Sequence, residues 1–308
     1  MTFEQCFNCG KPILMEGALG ERLKRDYKLT FDKNVALAGL VYDEEGRQAL
    51  KKLWTEYIDI AIRYKMPFIA TTPTRRANEE RVNKSEYNEN IIRDNVDFLK
   101  SIRNCYSKEA IYLGGLMGCK GDAYKANEVL SRSQAADFHS WQAALFQNAK
   151  VDFLYAGIMP ALEETLGMSE AMAKTDLPYI ISFMIRKDGC LIDGTNLSDA
   201  IQIIDKNVER KPLCYMSNCT HPKVVMKTLS YDFNRNESVW KRFRGIQPNT
   251  SDLSPENLDN SAVLFESNPK EFAKEIVSLQ NLMDITICGG CCGTDLRHIE
   301  EIAKELSD

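Results

Sequence analysis

The chain has 308 residues, a formal net charge of −5 and 44% hydrophobic residues. This length can bury a large core in one or two domains, and the mild acidity argues against nucleic acid, whose phosphates need a concentrated basic face. No apolar run is long enough to span a bilayer, and the first residues lack the basic and apolar regions of a signal peptide. We therefore expect a cytoplasmic protein without membrane or nucleic-acid partners.

Short apolar, β-branched runs alternate with longer amphipathic stretches along the chain. The runs that predict strands are, in order, Pro12–Gly17, Pro67–Thr72, Ala110–Leu116, Val151–Gly157, Pro178–Phe183, Pro212–Cys219, Ser261–Glu266 and Ile285–Gly290. The stretches with helical spacing of apolar residues are Asp43–Tyr64, Ser133–Ala149, Asn196–Lys206, Asn268–Leu282 and Leu296–Leu306.

This alternation indicates the fold class. Near-continuous apolar strands are typical of a parallel sheet covered on both faces, and strands that alternate with helices form βαβ units. Eight such units predict an α/β fold, a closed (β/α)8 TIM barrel. A doubly wound open sheet is the alternative, but no glycine-rich phosphate fingerprint follows the first strand. No low-complexity linker interrupts the chain, so residues 1–308 are predicted to form one domain.

The ten cysteines are many for a chain expected in a reducing compartment. That compartment argues against a disulfide framework, and clustered cysteines there indicate metal binding or catalysis. A barrel places its active site at the carboxyl ends of its strands. Cys219 ends the sixth predicted strand, and Cys291 and Cys292 follow the eighth within "ICGGCCGT". The three thiols are therefore expected to meet at the barrel mouth.

Three thiolates at an open site are typical of catalytic Zn²⁺, which takes three protein ligands and leaves a fourth position open. Such an ion is better suited to holding a substrate thiolate than to activating water, because coordination deprotonates a bound thiol. Cys219, Cys291 and Cys292 are thus the predicted zinc ligands. The alternative is that they pack as small hydrophobes. We prefer that alternative for Cys288, and a non-functional role for Cys6 and Cys9, which no second pair follows.

The residues of this motif resemble a known family. "GGCCGT" at Gly289–Thr294, together with Asn218–Cys219, is similar to the homocysteine S-methyltransferase family. The segments Met15–Leu23, Gly114–Tyr124, Asp193–Ile201 and Gly245–Asp259 resemble the same family. The resemblance implies a (β/α)8 barrel, zinc on Cys219, Cys291 and Cys292, and the acceptor thiol in the fourth position. It also implies that backbone amides around Gly17 to Leu19 receive an amino-acid carboxylate, which suits a nest of N–H groups.

The sequence departs from the family pattern at the amino-acid pocket. The family has aspartate where this chain has Glu16, and many members have a glutamate, which binds the amino group of homocysteine, where this chain has Gly157. The turn after the predicted seventh strand also differs, reading Phe265–Pro269. Losing the partner of a buried ammonium costs several kcal/mol of binding. Either Glu16 or Glu266 compensates, or the acceptor is not plain homocysteine.

The remaining predicted site residues lie at strand ends and in the first turn. The predicted substrate-binding residues are Glu16, Gly17, Ala18, Thr72, Ser182, Asn218 and Glu266. A cationic methyl donor would also need aromatic faces, for which Phe183, Tyr155 and Phe265 are candidates that fit the barrel core equally well. His139, His221 and His298 show no triad arrangement, and no general base is needed once the thiol has lost its proton.

The predicted function is zinc-dependent methyl transfer from an activated donor to a small-molecule thiol, homocysteine, giving methionine. One alternative is an enzyme that methylates another thiol or a selenol, or forms one half of a corrinoid system with a separate corrinoid protein partner. A second is a zinc-binding relative without catalysis. The sequence pattern identifies neither the methyl donor nor the oligomeric state.

Overall fold

A computed structural model describes residues 1–252 and 267–307, and within them eight parallel strands close into a barrel. The strands are β1 (Ile13–Met15), β2 (Phe68–Thr71), β3 (Ile111–Met117), β4 (Phe153–Met159), β5 (Tyr179–Phe183), β6 (Cys214–Asn218), β7 (Phe243–Gln247) and β8 (Ile287–Cys288). Each strand pairs with the next, and β1 closes the circle by pairing with β8, with Ile13 beside Ile287. The predicted (β/α)8 barrel is confirmed.

Helices surround the barrel. Within the described residues they are α1 (Phe3–Asn8), α2 (Gly20–Tyr27), α3 (Glu44–Arg63), α4 (Glu79–Asn83), α5 (Asn90–Arg103), α6 (Arg132–Ala149), α7 (Leu162–Ala173), α8 (Leu197–Asn207), α9 (Pro222–Ser230), α10 (Glu237–Arg242), α11 (Pro269–Met283) and α12 (Leu296–Ser307). The five predicted helices are confirmed as α3, α6, α8, α11 and α12. Across the described ranges, no helix combines the length and the apolar character needed to cross a membrane.

Local sequence explains where these helices begin. The Asp43 side chain accepts a hydrogen bond from the backbone N–H of Gly46 at the start of α3. Asn268 does the same for the first turn of α11, where Pro269 occupies the first helical position. Such caps satisfy N–H groups that have no partner within the helix. The helix boundaries could therefore be predicted from short-range chemistry alone.

The position of the seventh strand was predicted wrongly. The barrel uses β7 at Phe243–Gln247, where Gly245 pairs with Met216 of β6 and with Ile287 of β8. The predicted segment Ser261–Glu266 lies outside the described residues. Two residues interrupt the apolar run of β7: Arg244, which binds Asp284 at 3.1 Å, and Gly245. A side chain at Gly245 would come within 2.5 Å of Met216, so this strand needs a residue that no apolar pattern signals.

Helix α1 closes the amino-terminal end of the barrel. Phe3, Cys6 and Phe7 are buried against residues that point into the barrel interior. The Phe3 ring stacks on Phe153, with 4.1 Å between the ring centroids, and lies 5.5 Å from Tyr112. Cys6 therefore belongs to this apolar plug. Helix α1 fills this end of the barrel, whereas a cavity opens at the carboxyl ends of the strands.

Candidate metal and substrate site

Three cysteine side chains converge at the mouth of the barrel. Cys219 follows β6, Cys291 and Cys292 follow β8, and their sulfur atoms lie within 4.8 Å of one another. The Cα atoms of Cys219 and Cys291 are 5.5 Å apart, and the structure joins their sulfurs as a disulfide. Cys292 is a free thiol that remains exposed. The sequence analysis predicted no disulfide framework. Cys219 and Cys291 are nevertheless joined, because their side chains point at the same position.

The segment after β7 holds two of these cysteines in place. The backbone N–H of Cys219 donates to the carbonyl of Gln247 at 3.0 Å, and its carbonyl accepts from the Asn249 side chain at 3.1 Å. The N–H of Cys291 donates to the carbonyl of Pro248 at 2.7 Å. Cys219 itself has a φ of 54°, a left-handed conformation that is uncommon outside glycine. Tertiary contacts maintain this backbone strain at one of the three cysteines that could hold a metal ion.

Gly293 forms the turn that presents Cys292. Its φ is +82°, and a Cβ at this position would lie 1.8 Å from the Thr250 hydroxyl oxygen. The carbonyl of Cys292 accepts from the N–H of Thr250 at 3.1 Å, and the N–H of Gly293 donates to the Glu21 carboxylate. Glycine is therefore required here both by backbone conformation and by space.

The three sulfurs fit a soft, tetrahedral metal ion such as Zn²⁺. Thiolates bound to one tetrahedral zinc stand about 3.8 Å apart, which lies within the spread of the three sulfurs. The Cys219–Cys291 disulfide uses two of the same sulfur atoms, so disulfide and metal site are mutually exclusive, and metal binding requires the reduced pair. Partial enclosure raises the pKa of the Cys292 thiol, as does the Glu21 charge, while Arg75 lowers it.

Other thiols lie apart from this cluster. Cys288 is fully buried within β8, and burial raises its pKa to about 12. Cys119 is buried after β3, and burial also raises its pKa to about 12. Both side chains stay protonated at neutral pH. They pack as small hydrophobes, as the sequence indicated for Cys288.

A cavity of about 740 Å³ opens beside the thiols. Five of the predicted substrate-binding residues line it together with the three cysteines, namely Glu16, Gly17, Ala18, Thr72 and Asn218. Ser182 acts indirectly, because its hydroxyl donates to the side-chain oxygen of Asn218 at 2.8 Å. Glu266 lies outside the described residues. The structure therefore brings five of the seven predicted substrate-binding residues together with the cysteine cluster.

The turn after β1 presents backbone N–H groups to this cavity. Ala18 donates its N–H to the Thr294 hydroxyl at 3.1 Å, which ties the turn to the cysteine segment. The N–H groups of Gly17 and Leu19 have no partner among the described residues. Helix α2 begins directly afterwards at Gly20, without a side-chain cap. Unpaired N–H groups at a helix N-terminus attract anions, since the helix dipole adds to their partial charge.

Glu16 is a buried acid at the base of the cavity. Its carboxylate accepts from the Trp54 indole at 2.8 Å, from the backbone N–H of Thr71 at 3.0 Å and from the Thr71 hydroxyl. Burial raises the pKa of Glu16 to about 7, against the opposing effect of these hydrogen bonds. Near neutral pH this side chain therefore exists in both protonation states, and a nearby positive charge would favour the ionised one.

Glu16 makes stability depend on pH. The folded protein retains this proton between about pH 4.5 and pH 7, where the unfolded chain has lost it. The free energy of unfolding should therefore fall by about 3 kcal/mol as pH rises through this window, and stay level above it. We expect Glu16→Gln to remove this part of the dependence. Urea unfolding of both proteins at pH 5 and pH 8 measures the change in the free energy of unfolding. Equal pH dependence in the two proteins would contradict the role given to Glu16.

The Leu116 side chain occupies the space beside Gly157 within β4. A Cβ there would come within 2.7 Å of Leu116 and lie 3.7 Å from the side-chain nitrogen of Asn218. The Asn218 side-chain oxygen already accepts from the N–H of Ile158 at 2.9 Å and from Ser182. The amide nitrogen of Asn218, a hydrogen-bond donor, therefore faces the place where many family members carry a carboxylate.

The histidines and the acids after β4 have structural roles. His139 and Glu164 are both buried and lie 3.1 Å apart, on α6 and α7. His221 caps α9 by accepting from the N–H of Lys223 at 3.3 Å, and burial lowers its pKa. His298 contacts Asp295 at 2.9 Å. None of the three histidines lines the cavity beside the cysteines.

The cavity also contains residues that the sequence analysis missed. They are Glu21, Phe31, Arg75, Arg76, Tyr124 and Gln247. Gln247 was missed because β7 was misplaced, whereas "PTRRAN" directly after the second predicted strand was an available signal for the arginines. Of the aromatic candidates, Tyr155 lines the cavity, Phe183 is stacked on Tyr215 in the core, and Phe265 lies outside the described residues.

Comparisons with known proteins point to one family. The family model described as homocysteine S-methyltransferase matches residues 13–306. No curated protein matches the chain significantly.

Among solved structures, the chain is similar to the homocysteine methyltransferase MmuM from Escherichia coli. The metallated form is 17% identical with a TM-score of 0.76, and the match covers 96% of each chain. The oxidized form is 17% identical with a TM-score of 0.76 over 94% of each chain, and the apo form is 18% identical with a TM-score of 0.67 over 96%. At this identity the likeness shows the shared fold. Because the family model spans almost the whole chain, this protein belongs to the homocysteine S-methyltransferase family and is a methyltransferase.

Proposed function

We propose that the protein transfers a methyl group to the thiol of homocysteine, giving methionine, with Zn²⁺ held by Cys219, Cys291 and Cys292. The observation that carries this proposal is the convergence of the three sulfurs within 4.8 Å at the wall of the cavity. When bound, zinc would supply a fourth position for a thiol and favour its deprotonated form. The existence of a metallated form of MmuM supports a metal in this family.

The turn after β1 is the proposed binding site for the substrate carboxylate. The N–H groups of Gly17 and Leu19 and the first turn of α2 lie beside the cysteines. Gly17 is required because a Cβ there would come within 2.8 Å of the Tyr57 hydroxyl. Tyr57 in turn donates to the carbonyl of Ala18 at 3.0 Å. The turn is therefore rigid, so little conformational entropy is lost when it binds an anion.

Glu16 is the proposed partner of the substrate amino group, in place of the acid absent at Gly157. A carboxylate has about four acceptor positions, and Trp54 and Thr71 together fill three of those on Glu16. One position remains for an ammonium N–H. Because burial raises the pKa of Glu16 to about 7, the ammonium would also stabilise its ionised form, which strengthens the contact.

The chain's own contribution to methyl transfer is positioning. The thiol needs no base once its proton has left, so the site has to hold the donor methyl in line with the sulfur. The Tyr155 ring at the base and the Tyr124 ring at the mouth both line the cavity. Their faces suit a cationic donor centre such as a sulfonium or quaternary ammonium. The Tyr155 hydroxyl is held by Gln247 at 3.1 Å, which fixes the orientation of that ring.

Titration of the reduced, zinc-loaded protein with homocysteine tests this function. We expect release of about one proton per chain at pH 8, where Glu16 is already largely ionised, because the bound thiol becomes a thiolate. X-ray absorption should show a fourth zinc–sulfur bond. Homoserine, which carries a hydroxyl in place of the thiol, is the matched control and should produce neither signal. Homocysteine binding without proton release and without a new zinc–sulfur bond would contradict the proposed role of the metal.

A different acceptor thiol is the second candidate. The observation that favours it is the Asn218 amide, a donor where many family members place an acceptor. An acceptor that lacks an amino group would suit this amide better than homocysteine does. Tight, proton-releasing binding of another thiol together with weak homocysteine binding would establish this alternative.

A further inference from the structure

Two adjacent arginines lie on the loop after β2 and line the same cavity as the cysteines. Among residues 1–252 and 267–307, neither Arg75 nor Arg76 has a hydrogen bond or ion pair with a carboxylate. We propose that Arg75 and Arg76 bind a carboxylate group of the methyl donor, so that the preferred donor is a carboxylate-bearing molecule. This inference rests on the proposed methyl transfer and adds the residues that select the donor.

The loop that carries the arginines is held rigidly. The Thr74 hydroxyl donates to the carbonyl of Leu116 at 2.9 Å and lies 2.7 Å from the Thr72 hydroxyl. The Gln142 side chain donates to the carbonyl of Thr74 at 3.1 Å. Asn78 then caps the short helix α4 by accepting from the N–H of Arg81 at 3.0 Å. A loop fixed on both sides of the arginines presents them at a constant position, as a binding site requires.

The neighbouring strand leaves space for the Arg75 side chain. Gly118, just after β3, faces it so closely that a Cβ would lie 2.5 Å from Arg75 Cγ and 3.0 Å from its carbonyl oxygen. The apolar stem of Arg75 therefore lies against a glycine, which limits the positions of the guanidinium. Arg75 and the three cysteines line one cavity, so its guanidinium shares the space in which the thiols lie.

The charges around the arginines favour an anion with one negative charge. Burial lowers the pKa of Arg76, and the neighbouring cations Arg81 and Arg75 lower it further. An anion would relieve this repulsion, and the planar guanidinium matches a carboxylate in a bidentate manner. Glu21 and Asp32 line the same cavity, and they would repel a doubly charged phosphate more strongly. They would also attract a cationic methyl-bearing centre, so a zwitterionic donor fits both groups.

The test compares matched ligands on the zinc-loaded, homocysteine-saturated protein by calorimetry. The pairs are dimethylsulfoniopropionate with trimethylsulfonium, and glycine betaine with tetramethylammonium. We expect a carboxylate-bearing member to bind at least about tenfold more tightly than its partner. Arg75→Gln or Arg76→Gln should abolish most of this difference, and Arg76→Gln should do so with zinc content and homocysteine affinity unchanged. Arg75→Lys should restore part of it, because lysine keeps the charge without the planar fork.

Arg81→Gln is the matched control, since Arg81 is in the same region but contacts the Lys120 carbonyl instead of lining the cavity. Any of three results would overturn the proposal. The two ligands of each pair could bind equally well, neither carboxylate-bearing ligand could bind, or both arginine variants could bind all four ligands with the affinity of the parent. Competition by inorganic phosphate against these ligands is a further test. If phosphate competes more strongly than acetate and this effect requires the arginines, the proposal is overturned in favour of a phosphate-bearing donor. If homocysteine releases no proton but arginine-dependent carboxylate binding persists, the proposed function fails and this subsite stands.

Discussion

Serine in place of Cys219, Cys291 or Cys292 should weaken zinc binding by about a hundredfold or more, since a metal site of this type derives several kcal/mol from each thiolate. Serine keeps the size of the side chain, but its hydroxyl is not ionised near neutral pH and is a poor ligand for a soft site. Methyl transfer should fall with the loss of metal. Zinc content after dialysis against a competing chelator, under reducing conditions, measures the effect.

Two cysteines outside the cluster serve as controls for this experiment. Cys288→Ser changes a fully buried thiol in β8, and Cys105→Ser changes an exposed one. Both variants should retain the zinc content of the parent, although Cys288→Ser should lower stability because a hydroxyl is buried there. Parental zinc affinity in any one of the three cluster variants would exclude that cysteine from the ligand set. Reduction of the Cys219–Cys291 disulfide should be needed before the parent takes up zinc.

Gly293→Ala should disrupt the metal site without touching a ligand. The new methyl group would lie 1.8 Å from the Thr250 hydroxyl oxygen, and alanine is disfavoured at a φ of +82°. The turn has to shift, and Cys292 moves with it. We expect the free energy of unfolding to fall by about 2–4 kcal/mol and zinc affinity to fall at least about tenfold. Urea unfolding and chelator competition measure the two effects.

The control for this variant is Gly194→Ala. Gly194 has a φ of +88°, but no atom lies within 4 Å of a Cβ built there. It therefore isolates the cost of the backbone conformation, about 1–2 kcal/mol, from the steric clash with Thr250. Gly194→Ala should leave zinc affinity unchanged. If the two variants lose the same stability and both retain zinc, the Gly293 turn does not position Cys292 as described.

The helices and most of the barrel could be predicted because their causes are local. The apolar face of α3 and the caps at Asp43 and Asn268 are encoded within a few residues of where they act. Strands such as β5 were visible because a strand buried on both faces has to be apolar throughout. β7 was not visible, since Arg244 pairs with Asp284 at the end of α11 and Gly245 leaves space for Met216 of β6.

The sequence by itself determined the barrel class, seven of its eight strand positions and three thiols near strand ends, because apolar periodicity distinguishes strands from helices and their alternation implies parallel βα units. Tertiary structure alone decided what surrounds those thiols. Leu116 occupies the space beside Gly157, Asn218 turns a donor toward it, and Arg75 lies against Gly118. Each of these contacts joins residues from different strands or their loops. Strand periodicity is visible along the chain, but side-chain packing across the barrel leaves no pattern in the sequence.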